Sequence, residues 1–75
     1  MNDTDRIDLS KLPDFALLST KHILALIPVS GMSLFRWIRL GVFPRPIKVQ
    51  RLRYWRASVV RDWLESRQAE AARAA

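Results

Sequence analysis

The sequence predicts a mainly α domain with one small β-hairpin, in the order helix, turn, helix, hairpin, helix. Three observations lead there. Ser19-Thr20 and Ser30 each stand just before a short apolar-periodic segment, the position that helix caps occupy. Two β-prone runs, Ile47-Lys48-Val49 and Tyr54-Trp55-Arg56, follow a stretch in which Pro44 and Pro46 exclude helix. From Ala57 onward a helical period returns and lasts to at least Arg67.

Each element has its own warrant. Residues 1–15 mix Asp, Asn, Thr and Ser with Ile7, Leu9, Leu12 and Pro13, which suggests a flexible acidic arm whose apolar residues are free to dock somewhere. The first helix covers residues 21–27, with Ile23, Leu24 and Ile27 on one face and Pro28 closing it. Only Pro28, Val29 and Ser30 separate it from a second helix over residues 31–40, with Gly41 at the place of a left-handed cap. Leu34, Phe35 and Ile38 form the apolar back of that helix, flanked by Trp37; Met32, Ser33, Arg36, Arg39 and Leu40 form its front. In the hairpin Ile47, Val49 and one of Tyr54 or Trp55 are expected inward, with Lys48, Arg51 and Arg53 outward or at the tip. Val59, Val60, Trp63 and Leu64 give the last helix its buried stripe, and Arg61–Glu65 is an expected i,i+4 pair. The domain is thus expected over residues 16–67, and the Ala-rich tail, 68–75, has the propensity to extend the helix.

Charge narrows the function. The chain of 75 residues carries 13 Lys+Arg and 7 Asp+Glu, net +6, with no cysteine and one histidine. No disulfide, thiol nucleophile or Cys/His zinc site can be built from that set. No acid occurs from Phe15 to Arg61, yet Lys21, Arg36, Arg39, Arg45, Lys48, Arg51, Arg53, Arg56 and Arg61 all fall there. Such a segment repels itself unless a polyanion or counterions lie nearby. Arginine dominates it, the side chain suited to phosphate forks and guanine edges, so double-stranded DNA is the leading partner. A membrane surface competes less well, and no apolar run approaches the ~20 residues needed to cross a bilayer. The start of the chain lacks the basic-then-apolar order of a signal peptide, so a cytoplasmic location is expected. No acid stands beside a nucleophile or a second ligand, so neither an enzyme nor a metal or cofactor site is expected.

A helix-turn-helix followed by a basic hairpin and a further helix has the plan of a winged helix-turn-helix. The wording is more specific. Leu17-Leu18-Ser19-Thr20, Val29-Ser30-x-x-Ser33-Leu34-Phe35-Arg36-x-Ile38 and Gly41-Val42-Phe43-Pro44-Arg45-Pro46-Ile47-Lys48 occur in order. Arg51-x-x-x-Trp55-Arg56-x-Ser58-x-Val60-x-x-Trp63-Leu64 follows them. Together these pieces resemble the AlpA/excisionase-like branch of the small MerR-type winged-helix proteins, across residues 17–66. One departure stands out: Gln50-Arg51 occupies the turn where related sequences usually place glycine. The resemblance implies a second helix in the major groove and a wing over the adjacent minor groove or backbone. It also implies either an excisionase that bends DNA for a site-specific integrase or an AlpA-type transcriptional regulator.

The candidate recognition residues are Ser30, Gly31, Met32, Ser33, Arg36 and Arg39, the wing residues Lys48, Arg51 and Arg53, and further phosphate contacts Lys21 and Arg45. Each has an ordinary alternative. Arg36 and Arg39 could be a solvated face, with Arg39 offsetting the helix dipole; Ser30 is first a cap; Met32 could pack on the wing. Trp37, Phe35, Trp55 and Trp63 follow core periodicity rather than that of a stacking platform. His22 lacks a ligand partner and is expected at the surface or in a cap. A reader this small covers few base pairs, so several copies side by side on DNA are expected.

Overall fold

Ser19 closes the first strand and opens the first helix. In the computed structural model, which describes residues 8–74, β1 (Leu17–Ser19) runs directly into α1 (Thr20–Leu26). The Ser19 hydroxyl accepts from the His22 N–H, and the His22 ring accepts from the Ser19 N–H at 3.1 Å. A histidine thus fills the place that Glu or Gln takes in the usual capping box. Past Pro28, α2 (Gly31–Arg39) is capped by Ser30, whose hydroxyl accepts from the Ser33 N–H at 3.1 Å. It ends at Gly41, φ +77°. There the Val42 N–H reaches the Trp37 carbonyl at 2.8 Å and the Gly41 N–H reaches that of Ile38 at 3.2 Å. This is the Schellman closure, and glycine supplies its left-handed residue without Cβ strain.

Next come β2 (Ile47–Val49), β3 (Leu52–Arg56) and α3 (Ala57–Ala74). The hairpin turns on Gln50 and Arg51 alone, with Gln50 at φ 58°, a left-handed conformation that glycine would adopt without strain. The sheet has three antiparallel strands in the order β1-β3-β2, so the expected hairpin gains a third strand from Leu17–Ser19. The expected tail is helix through Ala74.

Leu18, Ile23, Leu34, Phe43, Trp55 and Val60 form the core. Leu18 lies directly opposite Trp55 on one face of the sheet. Phe43 meets the Trp63 ring edge-on at 4.8 Å and the Trp55 ring at 5.9 Å. A buried indole N–H needs an acceptor. Trp55 donates to the Pro44 carbonyl at 2.9 Å and Trp63 to that of Val42 at 2.7 Å. Two tryptophans therefore pin the proline loop, and with it Arg45, beside α2.

The hairpin's parity is the reverse of the expected one. Trp55 is buried, so by strand alternation Arg53 shares its face, and Lys48 stands directly opposite Arg53. Lys48 and Arg53 therefore lie on the helix-facing side of the ribbon, where both stay exposed. Ile47, Val49 and Leu52 take the other face, where they are 43, 47 and 59% exposed.

Two further expectations are corrected at α3. Arg61 pairs not with Glu65 but with Asp14, and Val59 and Leu64 are exposed rather than buried. Of the arm expected to be flexible, residues 1–7 lie outside the described residues. Its remainder forms one 3-10 turn, Leu9–Lys11, with Leu9 and Leu12 packed against the core. Asp8 starts that turn, and its carboxyl is held below the ordinary value by hydrogen bonds from the side chain and backbone of Ser10.

Candidate nucleic-acid interface

The front of α2 is open. Met32 is 78% exposed, and Arg36 and Arg39 are exposed beside it. Leu34, on the opposite side, is fully buried and fixes the rotation of the helix. At the N-terminal end the Ser30 hydroxyl donates to the Ser33 hydroxyl at 3.1 Å, which leaves the Ser33 O–H to donate outward. A Cβ added at Gly31 would meet nothing within 4 Å, so the protein's own packing does not require glycine there.

Between α2 and the hairpin lies a cleft of about 780 Å³, lined by Phe35, Ile38, Arg39, Arg45, Pro46, Lys48 and Arg53. Four cations and no acid line it. The Arg53 guanidinium carbon stands 4.6 Å from the centre of the Phe35 ring. Lys48 and Arg53 are a like-charge pair directly opposite on two strands, an arrangement that is unfavourable unless an anion lies between or beside them.

The three ion pairs among the described residues are Lys11–Asp8, Arg61–Asp14 and Arg67–Glu70. None involves a cleft base, nor Lys21, Arg36 or Arg51. Every cation expected to contact DNA is thus without a carboxylate partner among the described residues, as Arg56 and Arg73 also are. The fold brings together Arg39, Arg45, Lys48 and Arg53 in the cleft, with Arg36 on the adjoining front. Arg51 stands apart at the exposed hairpin turn, and Lys21 on the exposed side of α1. Phe35, expected on the buried back, is 40% exposed at the cleft edge. The signal was present: at 100° per residue Phe35 sits at the margin of the apolar arc, next to the basic hairpin.

No group of three or more His, Cys, Asp or Glu side chains that could hold a metal ion occurs among the described residues. No described helix is long and apolar enough to cross a membrane.

Two helices joined by a tight turn, a three-stranded antiparallel sheet with a projecting basic hairpin, and a closing helix define a winged helix-turn-helix protein. Within that class, residues 17–68 match the family described as prophage CP4-57 regulatory protein (AlpA), and the chain belongs to that family. Comparison with curated proteins and with solved structures gave no match.

Proposed function

We propose that this chain is a sequence-specific duplex-DNA-binding regulator and not an enzyme. α2 enters the major groove with Met32, Ser33, Arg36 and Arg39 toward the bases, and the hairpin follows the adjacent backbone or minor groove. The observation that carries this reading is the acid-free cleft in which Arg39, Arg45, Lys48 and Arg53 converge beside α2. A phosphate strand leaving the groove that α2 occupies would pass there. If one copy neutralises about five phosphates, log K falls against log salt with a slope of about −4.5. The family description, a prophage regulatory protein, favours control of transcription.

A second reading, an excisionase, is favoured by the size of the reading surface. The nine residues of α2 extend about 13 Å, enough for only a few base pairs. Several copies on adjacent sites would then be needed, bending DNA so that an integrase assembles its excisive complex.

Selection from random duplex DNA at physiological salt, followed by sequencing, tests both. A short motif in direct repeats at fixed spacing supports the excisionase. A single motif or an inverted pair supports the regulator. No enrichment, or a salt slope shallower than about −1, overturns sequence-specific binding. Arg36→Ala is expected to flatten discrimination between the selected site and random DNA.

A further inference from the structure

We propose that Phe35 is a positioning residue for Arg53, holding its guanidinium inside the cleft so that the hairpin cation and α2 act on DNA as one unit. The proposal rests on the DNA-binding reading above and names a contact within that site.

Four observations converge on it. Arg53 shares its strand face with buried Trp55, so it points to the helix side of the hairpin. Directly opposite is Lys48, whose like charge pushes the two heads apart. Among the described residues Arg53 makes no ion pair or side-chain hydrogen bond; what it does contact is the Phe35 ring, at 4.6 Å. Phe35 in turn is 40% exposed, while Leu34 of the same helix is fully buried and Ile38 packs against the core.

A guanidinium over an aromatic face keeps its N–H edge free for a bidentate anion. Stacking therefore fixes the cation without consuming its donors, whereas an ion pair would consume them. It also confines a long side chain before binding, which removes part of the ordering loss on association. Arg53 thereby works with Arg39 and Arg45 across the cleft, separately from Arg51 at the turn.

The test is a double-mutant cycle on a duplex carrying the selected site, with a spectrum of the free protein beside it. Phe35→Leu keeps an apolar side chain of similar size but removes the ring; it should weaken binding roughly fivefold to twentyfold at an unchanged unfolding midpoint. In an Arg53→Ala background the same change should have no further effect, and Phe35→Trp or Phe35→Tyr should bind as the wild type does. In the free protein, the Arg53 δ-proton resonances should be shifted upfield by the ring and return to ordinary values in Phe35→Leu. Additive losses from the two substitutions, or wild-type binding by Phe35→Leu, overturn the proposal. Unshifted Arg53 protons do so without any DNA present. An upfield shift together with a wild-type protein that ignores DNA places the failure in the DNA-binding reading, and the positioning role falls with it.

Discussion

Asp14 and Arg61, 47 residues apart in the chain, meet with Oδ1 and Nη1 2.7 Å from each other. The Arg61 Nη2 donates to the carbonyls of Leu9 and Leu12 at 3.1 and 2.9 Å. The arm repays the contact: the carbonyls of Ala16 and Asp14 accept from the N–H groups of Ala57 and Ser58 at 2.8 and 3.2 Å. α3 begins directly after β3, and the carbonyls of Ala16 and Asp14 satisfy two of its first N–H groups.

Arg61→Met should destabilise the domain by about 2 kcal/mol, because it strips a charged donor from two partly buried carbonyls. Asp14→Asn should cost less than about 1 kcal/mol, since its side chain is 78% exposed and the pair is screened by water. Urea unfolding of the two variants measures both. A larger loss for Asp14→Asn would show that the ion pair, not the carbonyl bonds, holds the arm.

Gly41→Ala should lower stability by about 1–2 kcal/mol, the strain of a left-handed residue bearing a Cβ. Nothing lies within 4 Å of that Cβ, so the loss is purely conformational. Gly41→Asn, which tolerates the same backbone, should recover part of it; thermal melts would show no recovery if the loss came from a clash instead.

Gly31→Ala separates folding from binding. The new Cβ meets no protein atom, and alanine favours a helix over glycine by up to about 1 kcal/mol, so the melting point should hold or rise. DNA affinity should nonetheless fall, because the N-terminal end of α2 approaches the duplex closely in the proposed complex. Unchanged affinity in a titration would move the contact away from this end of the helix.

Val49→Thr reports on hairpin parity. With Val49 47% exposed, the change should stay within about 0.5 kcal/mol. Were Val49 inward, burying a hydroxyl without a partner would cost roughly 1–3 kcal/mol. Chemical denaturation tells the two apart.

Much of this fold was legible in the sequence because its signals are local. Ser19, Ser30 and Gly41 mark helix ends through contacts a few residues away, and Pro44 and Pro46 forbid helix between them. What escaped depends on distant partners. Leu17–Ser19 is too short to show alternation and becomes a strand only by pairing with Tyr54 to Arg56. Ile47-Lys48-Val49 suggests apolar-inward, but the register is set by Trp55, whose burial decides the parity of the whole ribbon. Where the acidic arm docks was hidden because its anchor, Arg61, lies on the last helix. In the site, Arg36, Arg39 and Arg45 were evident from charge and helical phase. The stacking of Arg53 on Phe35 was hidden, since it follows from that same reversed parity.

The strand made first has the strand made nearly last as its only neighbour in the sheet. During synthesis Leu17 and Leu18 are added to the chain before Trp55 and Arg56, their eventual partners, exist. At about 5–20 residues per second the interval is roughly two to eight seconds. Through that interval Leu18, Ile23 and Leu34 have no Trp55 or Val60 to close over them. The domain therefore cannot be completed piece by piece from its beginning, and folding begins in earnest only as α3 emerges.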